Sequence, residues 1–137
     1  MRSFRFDILL DPSHDMSQKD CVVHILKLAK SLRCEYVHLA PPCNTYSAAR
    51  YPKIRTKKHP DGIPGLKKKD RDLIKTSTLI SDNVWDMVEK LSVKGTYISV
   101  ENPLTSLQLG HDVGQIAKMF WHTRRFKRLQ KKLGLRQ

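Results

Sequence analysis

A chain of 137 residues, 39% apolar and 28% charged, is expected to form one domain with a modest core and has little room for two. Its 26 Lys and Arg against 13 Asp and Glu leave a net charge of +13, which makes a polyanion the first partner to consider, ahead of an acidic protein or a membrane surface. No apolar run approaches the roughly 18 residues of a membrane span, and Met1–Leu10 lacks a signal-peptide core, so an intracellular protein is expected, nuclear in a eukaryote and otherwise cytoplasmic.

Phe6–Asp11 reads as a short buried strand that ends at Pro12 and enters the polar turn Ser13-His14-Asp15. Ser17 is placed to cap a helix over Gln18–Arg33, where Val22, Ile25, Leu26, Ala29 and Leu32 recur at helical spacing. Tyr36–Ala40 is expected to be a second strand, stopped by Pro41-Pro42 because proline cannot continue a ladder. A long loop follows. Pro52, Pro60, Gly62, Pro64 and Gly65 punctuate it, and in a small domain such a loop is functional or disordered. Asp70–Lys94 returns to helical period along Leu73, Ile74, Ser77, Ile80, Val84, Met87, Val88 and Leu91 and closes at Gly95. Thr96–Val100 is a third strand, and a final helix runs from about Asp112 to Leu133, presenting Ile116, Met119, Phe120, Phe126 and Leu129 and ending at Gly134. The β-α-β-α-β-α order predicts an α/β fold, a small mostly parallel sheet in a three-layer arrangement.

The charge is segregated. Arg50, Lys53, Arg55, Lys57, Lys58, Lys67, Lys68 and Lys69 face Asp61 alone within the basic loop (48–69), and Lys118, Arg124, Arg125, Lys127, Arg128, Lys131, Lys132 and Arg136, in the C-terminal helix (112–134) and its tail, have no acidic residue between Lys118 and Arg136. A solvated face is the alternative for each run alone, and it suits the tail better than the loop; together they favour nucleic acid.

Ligands of open parallel sheets bind beyond the carboxyl ends of the strands, which here are Asp11-Pro12, Ala40-Pro41-Pro42-Cys43 and Val100-Glu101-Asn102-Pro103. Cys43 is a candidate nucleophile, with Arg50, Lys53 and Arg55 able to favour its thiolate, or else a small packing residue. Glu101 could donate a proton or anchor a polar ring on the same rim, or serve as a surface residue. Asp11 could hold an amine or a ribose, or cap its turn through Ser13. Cys21 and Cys34 read as structural, and the odd, unclustered cysteines argue against disulfides and a Cys-x-x-Cys zinc site.

Ala40-Pro41-Pro42-Cys43-Asn44-Thr45-Tyr46-Ser47, then Asp70-Arg71-Asp72-Leu73 opening a helix, then Val100-Glu101-Asn102-Pro103 after a strand, resembles the central block of cytosine-C5 DNA methyltransferases. In that family a Pro-Cys pair followed by Gln and an aromatic-Ser, an Arg and Leu at the next helix, and a Glu-Asn pair occur in this order. The variant here, with Ser47-Ala48-Ala49-Arg50 after the cysteine and Glu-Asn-Pro for Glu-Asn-Val, is similar to methyltransferase-like domains of mobile elements and phage, and the resemblance covers about Phe6–Leu107, with Asn44 departing from the family's Gln. It implies a partial Rossmann-like methyltransferase fold in which Cys43 attacks C6 of a flipped cytosine, Glu101 holds N3 and the exocyclic amine, and Asn102 positions Glu101 or the backbone. S-adenosylmethionine is the implied cofactor, with Asp11, Pro41 and Pro42 beside it and Ser47, Arg50, Lys53, Arg55, Lys57, Lys58, Arg124 and Arg125 on the DNA. No glycine occurs before Gly62, so the family's glycine-rich cofactor loop is lacking and a second chain or subunit is a candidate to complete the site. The alternatives are a non-catalytic nucleic-acid-binding protein that keeps the fold and its basic surfaces, and a hydrolase or interaction module of the same architecture.

Overall fold

The fold is anchored by one long amphipathic helix. In this computed structural model residues 3–46, 50–56, 58–101 and 124–134 are described, and their elements are helix α1 (Lys19–Ser31), strand β1 (Tyr36–Leu39), helix α2 (Lys68–Ser92), strand β2 (Tyr97–Val100) and helix α3 (Arg124–Leu133). Along α2, Ile74, Ser77, Ser81, Val84, Trp85, Met87, Val88 and Leu91 are buried, a stripe at the 3.6-residue period that lays one face on the core and leaves the other to solvent. The helix stops where Gly95 takes a left-handed φ of +76°, which lets the backbone N–H groups of Lys94 and Gly95 turn back to the Leu91 and Ser92 carbonyls.

β1 and β2 are adjacent and parallel, in the register Tyr36↔Tyr97, Val37↔Ile98, His38↔Ser99 and Leu39↔Val100. Parallel neighbours need a crossover, and the basic loop with α2 supplies it. The inward residues Val37, Leu39, Ile98 and Val100 join a core with Val22 of α1, the α2 stripe, and Phe126 and Leu129 of α3. Trp85 meets Phe126 with ring centroids 4.9 Å apart, and Lys132 Nζ reaches Glu89 Oε1 at 2.8 Å, so α3 runs alongside α2 in the same direction. All three helices therefore share one core with one face of the sheet.

The strand expected over Phe6–Asp11 is not formed. Leu10 N–H donates to the Asp7 carbonyl, Leu9 N–H to Asp7 Oδ1 at 3.0 Å, and a short 3₁₀ turn (Pro12–His14) follows. Ile8, Leu9 and Leu10 are exposed, Leu9 by 90%. Two aspartates offering close local acceptors outcompete a ladder. Ser17 likewise is not the cap of α1, which begins after Gln18; its N–H donates to Asp15 Oδ1 at 2.8 Å. The final helix matches its expectation from Arg124 to Leu133, while the stretch from Asp112 to Thr123 lies outside the described residues.

Candidate functional site

The parallel register sets the geometry of the site. Leu39 and Val100 are paired at the carboxyl ends of the strands, and the Glu101 N–H donates to the Leu39 carbonyl at 2.8 Å. The Pro41-Pro42-Cys43 exit of β1 and Glu101 thus leave the sheet side by side, as expected for neighbouring strands. Cys43 is half-buried, and its carbonyl accepts the Tyr46 N–H at 2.9 Å, closing a turn directly after the motif.

A buried polar cluster pins that turn to α2. Thr45 Oγ1 donates to Ser77 Oγ at 2.7 Å. Arg55 stacks its guanidinium 4.6 Å from the Tyr46 ring centroid, donates from Nη1 to the Pro60 carbonyl at 2.7 Å, and from Nη2 to the Ile74 carbonyl, Ser77 Oγ and Thr78 Oγ1 at 2.9, 2.8 and 2.9 Å. Only 3% of Arg55 is exposed; burial pushes its guanidinium below the usual range while Tyr46 and Asp61 pull it back up. Arg55 was expected on a phosphate-facing surface and is a structural residue instead. Arg50 is also engaged internally, with Nη2 2.9 Å from Asp70 Oδ1.

The remaining cations form an exterior. Lys58, Lys67, Lys68 and Lys69 are exposed and Lys53 half-exposed around the loop and the start of α2, and Lys127, Arg128, Lys131 and Lys132 are exposed on α3. Arg124 and Arg125 open α3, but their side chains, with Ser47, Lys57 and Asn102, lie outside the described residues. Asp11 is the N-cap of the 3₁₀ turn, accepting the Ser13 N–H at 2.8 Å, and that bond holds its carboxyl below the ordinary carboxylate range. With no strand over Phe6–Asp11, Asp11 is not a strand end. Of the other thiols, Cys21 is buried and pushed up by burial and by Asp15, and Cys34 donates to the Tyr36 carbonyl at 3.1 Å.

The outward side of the strands holds residues that the sequence reading passed over. Tyr36 Oη lies 2.5 Å from Ser99 Oγ, Ser99 Oγ lies 2.7 Å from His38 Nδ1, and His38 Nε2 lies 3.5 Å from Glu101 Oε2. With the Nε2–H tautomer, Tyr36 donates to Ser99 and Ser99 to His38, and the His38 ring then presents Nε2 toward the Glu101 carboxylate on the outer side. The period-two alternation of Tyr36-Val37-His38-Leu39 and Tyr97-Ile98-Ser99-Val100 was the signal that could have found them. Among the described residues no group of three or more His, Cys, Asp and Glu is placed to hold a metal ion, and no helix is long and apolar enough to cross a membrane.

No family model, no curated protein and no solved structure matches the chain.

Proposed function

We propose that the chain is an S-adenosylmethionine-dependent methyltransferase-like domain acting on cytosine in DNA. What carries the reading is one juxtaposition: two adjacent parallel strands that end, side by side, in Pro41-Pro42-Cys43 and in Glu101. On this reading β1, α2, β2 and α3 belong to a partial Rossmann-like methyltransferase fold, and the protein works inside the cell, where its substrate is. A base must leave the stack to reach a thiol at a sheet rim, which costs a few kcal/mol, and exposed lysines of the loop offset this through the phosphates.

The Cys43 thiolate forms the S–C6 bond, and the displaced electron pair is delivered to C5, which becomes the nucleophile. Glu101 holds N3 and the exocyclic amine and neutralises charge that develops on the ring. After C5 is methylated, loss of its proton and expulsion of the Cys43 thiolate restore the aromatic ring and free the enzyme. S-adenosylmethionine, when bound, supplies the methyl group. Pro41 and Pro42 have no backbone N–H to donate and Asp11 Oδ1 already accepts from Ser13, so on this reading a second chain completes the cofactor site.

The test is transfer of labelled methyl groups to cytosine-containing DNA by the full chain, alone and with any co-purifying partner, beside calorimetric titration with S-adenosylmethionine. Cys43→Ser and Glu101→Gln should each abolish transfer and retain DNA affinity; transfer by Cys43→Ser would overturn the assignment. A second reading, a non-catalytic nucleic-acid-binding protein, is favoured by the exposed cations of α3 and of the start of α2. It predicts no cofactor binding, and DNA affinity whose salt dependence weakens as Lys58, Lys67 or Lys68 is neutralised.

A further inference from the structure

The described helices pack on one face of the sheet, and among the described residues nothing covers the other. Tyr36 and Tyr97 lie directly opposite each other on that bare face, 54% and 77% exposed. Large exposed rings side by side on a parallel sheet are unusual, because such sheets ordinarily bury both faces. The Tyr36 hydroxyl is tied to Ser99, two positions beyond its cross-strand partner, so its ring lies diagonally across the strand pair with its orientation fixed in advance. His38 continues the row, and Glu101 closes it at the carboxyl edge.

We infer that this face is a stacking platform for unpaired bases of single-stranded DNA, with Tyr36 and Tyr97 as the stacking rings. Every base has a π-face, and aromatic rings presented on an open sheet take bases without needing a particular sequence. Charge complementarity selects a polyanion over a second copy of this chain, which would bring +13 against +13. Arg33 and Lys94 are exposed in the turns that lead into β1 and β2. Those turns are joined, with Tyr97 N–H on the Glu35 carbonyl at 2.8 Å and Thr96 Oγ1 on the Cys34 carbonyl at 3.1 Å, so the two cations share the amino edge beside the tyrosines. Among the described residues of these strands and their turns, the acidic groups are Glu35 and Glu101. By strand rise the row from Tyr97 to Glu101 spans about 13 Å, which brings nucleotides stacked on the tyrosines next to the Cys43–Glu101 edge. The choice of DNA over RNA rests on the cytosine-directed reading; the choice of unpaired bases does not.

Fluorescence anisotropy with labelled oligothymidylate, the corresponding thymidylate–adenylate duplex and oligouridylate tests the platform. Tyr97→Ala and Tyr36→Ala should each weaken binding of the single strand roughly tenfold or more and leave the slope of affinity against salt unchanged, since no phosphate contact is removed. Tyr97→Phe and Tyr36→Phe should keep most of the affinity, and duplex binding should not respond to any of the four. Tyr97 has the more exposed ring, so its alanine variant should keep the thermal stability of the parent. Unchanged single-strand affinity in Tyr97→Ala overturns the platform, as does a sedimenting dimer that Tyr97→Ala dissociates. Tighter binding of oligouridylate overturns the assignment to DNA. None of these readouts needs methyl transfer: tyrosine-dependent binding without turnover would leave the platform standing and count against the enzyme.

Discussion

Replacing Arg55 by alanine separates the two roles its charge suggests. As a phosphate contact its loss would weaken DNA binding and leave the fold alone. The structure demands the reverse, because the guanidinium is 3% exposed and holds the Pro60 and Ile74 carbonyls and the Ser77 and Thr78 hydroxyls. Alanine leaves several of these acceptors other partners, since Ser77 and Thr78 both donate to the Ile74 carbonyl and Thr45 donates to Ser77. The Pro60 carbonyl loses its guanidinium donor, but Pro60 is exposed, so water takes that donor's place at little cost. The stacking on Tyr46 adds about 1 kcal/mol, and the lost charge-assisted bonds add about 1.5–3 kcal/mol. Relief of the desolvation that pushes the guanidinium down offsets part of this.

The net is about 3 kcal/mol, or a fall in Tm of about 10 °C for a chain of this size. Thermal unfolding followed by circular dichroism reads it, with Arg55→Lys intermediate because one ammonium cannot span acceptors on two segments. A Tm within about 2 °C of the parent, with DNA affinity reduced and a salt slope lowered by about one contact, would refute the buried-anchor role.

Gly62→Ala should destabilise by about 1–3 kcal/mol in chemical denaturation: Gly62 has φ +116°, and an added Cβ would lie 3.0 Å from Ile74 Cδ1 and 3.2 Å from Leu66 Cδ1. Leu9→Ser should leave the denaturation midpoint within about 0.5 kcal/mol of the parent, because Leu9 is 90% exposed; a loss of about 2 kcal/mol would restore the buried strand over Phe6–Asp11. The Ser17 N–H holds the Asp15 carboxyl below its ordinary value of 3.8. A depressed folded-state value stabilises above that ordinary value, and the stabilisation is lost as pH falls through the folded one. Stability should therefore fall below about pH 4, and Asp15→Asn should remove Asp15's share of that acid limb at the cost of some stability at neutral pH, leaving the shares of Asp7 and Asp11, whose carboxyls are also held down.

The sequence was most legible where burial follows a long periodicity. Ile74, Ser77, Val84, Met87, Val88 and Leu91 were read correctly as one face of α2, because a helix repeats its environment often enough to average out exceptions. Both paired strands were also visible, since Pro41 and Pro42 end one and Glu101-Asn102-Pro103 follows the other. A third strand was wrongly assigned to Phe6–Asp11 by the same apolar criterion. A run of Ile8, Leu9 and Leu10 has strand propensity, but it has no paired neighbour among the described residues, and Asp7 and Asp11 satisfy the backbone locally.

Charge was harder to read than apolar pattern. Arg55 and Lys58 are equal in a count of cations, yet one is the buried hub of the turn after Cys43 and the other faces solvent. What distinguishes them is the supply of acceptors, and those come from Pro60, Ile74, Ser77 and Thr78, on segments that meet Arg55 only after α2 has formed. The same limit hid Tyr36, Ser99 and His38, which stand in the outer row with Glu101. Each strand's alternation marks which residues face outward, but only the Leu39↔Val100 register puts His38 beside Ser99 and within reach of Glu101. A slip of one residue would turn Ser99 and Glu101 toward the helices and bring Val100 to the outside. The burial of Val37, Leu39, Ile98 and Val100 against the core opposes that slip, so the apolar face fixes where the polar row stands.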